Sequence, residues 1–161
     1  MGYTKRYNPE VISKSFMPAA PNIHILDVPK IAAVPLTAAQ LIAMEATPVS
    51  ILPAPAANMI LIADEIVFEM IATATAFTGG GAVSLVYHGG SVAVHTGSIP
   101  ASVVTTGTPG TTATLLGPDT GANGITVPAG TGVDITNATA PFASGSGTAV
   151  VFIRYRNITL Q

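Results

Sequence analysis

Three histidines and eight carboxylates are the side chains of this chain that could carry acid–base or metal chemistry. His24 is remote in sequence, whereas His88 and His95 lie close together. Gly89-Gly90 is typical of a two-residue hairpin turn, which would pair Tyr87 with Val92 and place His95 opposite Ser84. Two residues four apart on one strand are separated by about 13 Å, too far to share one metal ion. We therefore expect surface or interface histidines.

The second candidate is the acidic group Asp64, Glu65 and Glu69, which could form a calcium or acid–base site. It lies in a predicted strand, Met59–Ile71, whose alternation puts one set of apolar residues on one face: Ile60, Ile62, Ile66, Phe68 and Met70. Asp64 interrupts that face, so we expect a bulge or bend at Asp64-Glu65. Without the bulge, Asp64 faces away from the two glutamates and the three carboxylates cannot converge.

Other motifs do not indicate catalysis. Gly145-Ser146-Gly147 lacks the spacing of a nucleophile elbow, and Gly79-Gly80-Gly81 is not followed by a helix that would bind phosphate. The chain has no cysteine, which excludes disulfides and thiolate metal sites. We expect no enzyme, no cofactor and no metal.

Charge is scarce in this chain of 161 residues. Only 9% of the residues are charged, against about a quarter in a typical globular protein. Between Glu69 and Arg154 the charged residues are Asp119 and Asp134, and 15 of the 16 glycines fall between Gly79 and Gly147. With so few charges, the surface of the protein must either consist of neutral hydroxyl and amide groups or be covered by other protein. This composition favours a structural protein that packs within an assembly.

Charge and hydropathy also bear on partners. A net charge of −2 gives no basic stripe for nucleic acid. The most apolar window, 46–63, contains Pro48, Pro53 and Pro55, which argue against a membrane-spanning helix. The polar start, residues 1–7, predicts no secretory signal. We expect no nucleic acid and no membrane.

Residues 1–30 are predicted to form an extended N-terminal arm. They hold four of the six basic residues and four prolines, with no sustained helical or alternating pattern. The arm is either a disordered tail or a segment that lies along a neighbouring subunit. Its candidate partner-binding residues are Tyr3, Lys5, Arg6, Tyr7 and Phe16.

Arg154 and Arg156 alternate with apolar residues on the last predicted strand. They are either a solvated strand end or an interface that pairs with acidic residues of a partner.

Residues 31–161 are predicted to form one β-sandwich domain with one short helix. Thr37 and Gln40 match a capping box, with Leu36 and Leu41 at the staple positions, and Thr47-Pro48 ends the helix. The hairpin 82–96 has a predicted buried face formed by Val83, Leu85, Tyr87, Val92 and Val94. Further strands are predicted at 101–106, 112–116, 124–127, 132–137 and 148–160. Seven to nine such strands favour an all-β fold, specifically a jelly-roll-like antiparallel β-sandwich.

Three segments carry a resemblance to a known group of proteins. They are LTAAQLIAMEATPVSILPAP at 36–55, TGGG at 78–81 and VVFIRYR at 150–156. The chain resembles, over about residues 36 to 160, small phage virion proteins of the head decoration (capsid cement) family. The resemblance implies a β-sandwich outside a capsid lattice, commonly trimeric or dimeric, that binds the major capsid protein. It implies no catalytic residues.

The sequence thus predicts a structural virion protein, made in the host cytoplasm and bound to the capsid surface. Its expected partners are the major capsid protein and itself, as a homotrimer or alternatively a dimer. The alternative is a tail-tip or fibre module that recognises a host-surface receptor or glycan. For that role the chain is poorly equipped, with no tryptophan, four tyrosines and five phenylalanines. An enzyme is the third alternative.

Overall fold

The described part of the chain forms antiparallel β-sheets with two short helices, which confirms the all-β prediction. The computed structural model describes residues 28–72, 75–89, 92–105, 110–116, 126–137 and 139–160. The strands are β1 Lys30–Leu36, β2 Val49–Leu52, β3 Met59–Ala72, β4 Thr78–Gly79, β5 Val83–Tyr87, β6 Gly110–Leu116, β7 Val133–Asn137, β8 Phe142–Ala143 and β9 Thr148–Thr159. The helices are α1 Ala38–Ala43 and α2 Ala101–Thr105.

Four of the strand pairs are nested along the chain. One sheet has the order β1-β9-β3-β6, a second has β2-β7-β5, and β4 pairs with β8. The first strand thus pairs with the last, β2 pairs with β7, and β3 pairs with β6. Innermost, β5 pairs with the segment that follows it, where Val86 bridges Ala93.

The innermost pair has the predicted hairpin register. The Tyr87 amide donates a hydrogen bond to the Val92 carbonyl at 2.9 Å, and the Val94 amide donates to the Leu85 carbonyl at 2.9 Å. The prediction that Val92 lies on the buried face of the hairpin is wrong, because Val92 is 37% exposed. The returning segment also leaves the predicted ladder beyond Val94, because Val83 instead exchanges backbone hydrogen bonds with Ile99 at 2.9 and 2.8 Å.

The two larger sheets share one hydrophobic cluster. It includes Phe68 and Val151 from the four-stranded sheet and Leu85 and Ile135 from the three-stranded sheet, all at most 1% exposed. Tyr87 is 2% exposed, and its hydroxyl donates a hydrogen bond to the Leu61 carbonyl at 2.8 Å. This bond joins the two sheets through the core.

The predicted bulge is present at Asp64. Ala63 pairs with Tyr155 and Glu65 pairs with Arg154, so Asp64 is an extra residue in β3. The extra residue changes which positions face the core: Leu61 is buried before the bulge, whereas Ile66 is buried after it. The predicted placement of Ile60 and Ile62 on the Ile66 face is therefore wrong.

The predicted capping box is confirmed at α1. The Gln40 amide donates to Thr37 Oγ1 at 3.2 Å, and the Thr37 amide donates to Gln40 Oε1 at 2.9 Å. Leu36 and Leu41 are both buried, as the staple positions require.

Two strand predictions fail. The segment predicted as a strand at 101–106 forms α2, and its Val104 packs into the core, where tertiary burial outweighs the β-propensity of Val103 and Val104. Residues 126 and 127 are not in a strand, while 124 and 125 lie outside the described residues. No helix in the described ranges is long and apolar enough to span a membrane.

Candidate docking surface

The four-stranded sheet buries one face and exposes the other. On β1, β3 and β9 alternate side chains are buried, for example Ile66, Phe68 and Val151. The opposite side chains form what we call the outer face: Ile31, Ala33 and Pro35 on β1, Glu65, Val67, Glu69 and Ile71 on β3, and Val150, Phe152, Arg154 and Arg156 on β9.

Apolar side chains are exposed at the centre and ends of the outer face. Ile31 is 76% exposed, Ile71 41% and Phe152 36%. The strand register places Phe152 directly opposite both Ala33 and Val67. A surface pocket of about 290 Å³ lies there, lined by Ile31, Glu65, Val67, Phe152, Ile153 and Arg154. Contiguous exposed apolar side chains of this kind mark interaction sites.

The charges beside the pocket are paired within the chain. Arg154 Nη1 lies 3.3 Å from Glu65 Oε2, and Arg156 Nη2 lies 3.1 Å from Asp64 Oδ1. The two arginines, two residues apart on β9, lie on one face, so the bulge has brought Asp64 and Glu65 to that same face. The pairing leaves the pocket rim close to neutral.

This geometry bears on two sequence hypotheses. Arg154 and Arg156, predicted to pair with a partner's acidic residues, each have an acidic residue of their own chain as partner. The bulge places Asp64 and Glu65 on the same sheet face, as a shared site would require. Each of them, however, forms an ion pair with an arginine, Asp64 with Arg156 and Glu65 with Arg154. Glu69 lies on the same strand face as Glu65, about 13 Å further along β3.

His88 contacts a carboxylate that sequence reasoning missed. His88 Nδ1 lies 2.7 Å from Asp134 Oδ2, and the Asp134 side chain is 6% exposed whereas that of His88 is 69% exposed. Asp134 pairs with Ser50 on β2 and Val86 on β5, at the centre of the three-stranded sheet. A polar residue in an alternating strand predicts an exposed position, and nothing local in the sequence reveals the contact with His88.

The other predicted histidine is part of a turn. His95 Nδ1 accepts a hydrogen bond from the Gly97 amide at 2.8 Å. Within the described part of the chain, no group of three or more His, Cys, Asp or Glu residues is arranged to hold a metal ion.

The arm residues lie outside the described residues: Tyr3, Lys5, Arg6, Tyr7 and Phe16, together with His24. The described chain starts at Val28, 73% exposed, and enters β1 at Lys30. The arm therefore joins the sheet at the end of the outer face where Ile31 lies.

Comparison with known proteins identifies no relative: no family model, no curated protein and no solved structure matches this chain.

Proposed function

We propose that this protein is a structural virion protein of the decoration (cement) type. It binds the outside of a phage capsid and stabilises contacts between major capsid protein subunits. The observation that supports this most is the outer face, which exposes the apolar residues Ile31, Ile71 and Phe152 and whose arginines Arg154 and Arg156 are already paired within the chain. A surface of that kind favours contact with protein over contact with water.

We propose further that the fold is a jelly roll. A jelly roll is a nested set of antiparallel strand pairs wrapped into two facing sheets. The pairing of β1 with β9, β2 with β7, β3 with β6, and β5 with the residues after it supports this assignment. Jelly rolls are common in viral capsid proteins and lectins, so the fold is compatible with the proposed role without determining it.

The scarcity of charge fits repeated assembly. Free β-proteins discourage edge association with lysine and other charges, which the edge strands β2 and β6 lack. On a shell, many copies combine modest contacts into strong overall binding. A specific protein–protein contact buries about 1,200–2,000 Å² of surface. The outer face and the arm can each provide part of that area.

The proposal is tested by sedimentation with shells. Purified protein is titrated against phage capsids that lack it, and bound protein is measured in the pellet. The full chain is expected to bind with saturation, and a variant lacking residues 1–27 is expected to lose binding. Since β1 starts at Lys30, this deletion keeps the sheet, which circular dichroism checks. Full-length protein that stays in the supernatant throughout the titration would overturn the proposal.

A further inference from the structure

The outer face is most exposed where the N-terminal arm joins it. Val28 and Ile31, at 73% and 76%, have the highest exposures among the large apolar side chains of the described residues. Both lie at the start of β1, and Ile31 also lines the pocket at Phe152. Whatever covers this face must therefore come close to the point at which residues 1–27 enter the sheet.

Residues 28 and 29, which precede β1, do not reverse the chain direction. Pro29 disfavours the helical conformation at Val28 and keeps it extended, and residues 28 and 29 form no turn before β1 begins. A return of the arm to its own outer face would need a chain reversal before Val28, whereas the outer face of a neighbouring copy can be reached without one.

The arm is long enough to reach a neighbour. Twenty-seven residues span about 90 Å when extended, whereas four adjacent strands are about 14 Å wide. Even the last few residues of the arm can cross the outer face of an adjacent copy.

The chemistry of the arm matches the pocket. Residues 22–26 read Asn-Ile-His-Ile-Leu: Ile23 and Ile25 alternate with the polar residues Asn22 and His24, and the segment contains no Asp, Glu, Lys or Arg. The pocket is walled by Ile31, Val67 and Phe152, and its Arg154 and Glu65 are already paired. Its volume of about 290 Å³ lies just below that of typical ligand sites, about 300–1,000 Å³. It therefore suits an apolar side chain of a partner segment.

We infer that the protein self-assembles by arm exchange: residues 22–27 of one copy lie across the outer face of a second copy, with Ile23 or Ile25 in the pocket beside Phe152. This deepens, and rests on, the self-association that the proposed function includes. The exchanged segment covers the outer face around the pocket beside Phe152 and leaves the remainder of that face for the capsid, so either contact can fail without the other.

Cysteine cross-linking tests the inference directly, because the chain has no native cysteine. Ile23→Cys and Ile25→Cys are each refolded together with a separate Val67→Cys chain and oxidised. We expect a disulfide-linked pair between different chains in at least one mixture, several-fold above the yield with Ser50→Cys. Ser50 is the matched control because it is exposed on β2, in the other sheet. Equal yields for Val67→Cys and Ser50→Cys, or no linked pair in either mixture, overturn the inference.

The mass of the assembly in solution gives a second, independent readout. Light scattering is expected to show an oligomer for the full chain and a monomer after deletion of residues 1–27. Phe152→Ser or Ile31→Ser should raise the dissociation constant at least tenfold, whereas Val92→Ser, an exposed apolar residue elsewhere, should not. Thermal melting verifies that each variant is folded. An oligomer that survives the deletion overturns arm exchange, while linked chains that fail to bind shells overturn only the capsid proposal.

Discussion

Asp64 Oδ1 lies 3.1 Å from Arg156 Nη2, although the adjacent Glu65 pairs with Arg154 on the same sheet face. Consecutive residues of a regular strand point to opposite faces. The bulge at Asp64 removes this constraint. Two consecutive carboxylates can therefore pair with Arg154 and Arg156, which lie two residues apart on the same face of β9. One extra residue thus sets the charge balance beside the exposed apolar pocket.

Deletion of Asp64 is predicted to leave the fold intact. Ala63 and Glu65 already pair with consecutive residues of β9, so removing Asp64 gives a continuous ladder with Leu61 and Ile66 still facing inward. The expected cost is the lost ion pair, about 0–1 kcal/mol. Urea denaturation measures it.

The matched control is deletion of Val67, which lies in the regular part of β3. This deletion turns Phe68 and Met70 to the outer face, because a one-residue slip exchanges the two faces of a strand. Each large side chain removed from a core costs about 2–5 kcal/mol, so we expect the variant not to fold. Equal stability of the two deletions would show that Asp64 is not an extra residue.

The Glu65–Arg154 ion pair is predicted to stabilise its own chain and to take no part in binding a partner. Arg154→Glu places two acidic residues side by side and lowers stability by about 1 kcal/mol or less. The double variant Glu65→Arg/Arg154→Glu should restore both stability and oligomer mass. If the double variant regains stability but does not form the oligomer, Arg154 binds an acidic group of a partner. This is the interface hypothesis of the sequence analysis.

Alkaline unfolding is predicted to depend on Tyr87. Burial raises the pKa of the Tyr87 hydroxyl from 10.0 to about 12. The folded state therefore favours the neutral form, and its contribution to stability is complete below about pH 10 and is lost as the pH rises towards 12.

Tyr87→Phe tests this dependence. The variant loses the hydrogen bond to the Leu61 carbonyl, about 0.5–1.5 kcal/mol at pH 8. Above pH 10 its stability should fall less steeply than that of the parent protein in urea titrations, and Tyr155→Phe serves as the control. Parallel curves for Tyr87→Phe and the parent would contradict the assignment.

His88 and Asp134 are predicted to be energetically coupled. Asp134 is buried with Oδ1 lacking a hydrogen-bond partner, while Oδ2 contacts His88 at 2.7 Å. A double-mutant cycle of His88→Ala and Asp134→Asn should give a coupling of about 1 kcal/mol, within the usual range for contacting residues. The same cycle with His95→Ala should give none. Coupling of equal size in both cycles would argue against a specific contact.

Local chemistry in the sequence was sufficient for some elements. Thr37 and Gln40 identify the start of α1 because a capping box is complete within four residues. Asp64 identifies the bulge because a charge interrupts an otherwise regular alternation. Gly89-Gly90 sets a hairpin register that Tyr87 and Val92 follow.

Other features depend on contacts between distant residues. Val104 belongs to a helix because its side chain is buried in the core, which its β-branched neighbours do not reveal. Leu61, and not Ile60 or Ile62, faces inward because the bulge exchanges the faces. Asp134 is buried in the central strand β7 and contacts His88, 46 positions away. The outer face could not be predicted as a docking surface, since it depends on the pairing of β1, β9 and β3.

The location of the protein on intact particles tests the central proposal most directly. Phage particles assembled in cells that produce this chain are labelled with antibody and gold and imaged by electron microscopy. We expect label distributed over the outside of the head, in many copies per particle. Label confined to the tail tip, or particles that carry none, would contradict it.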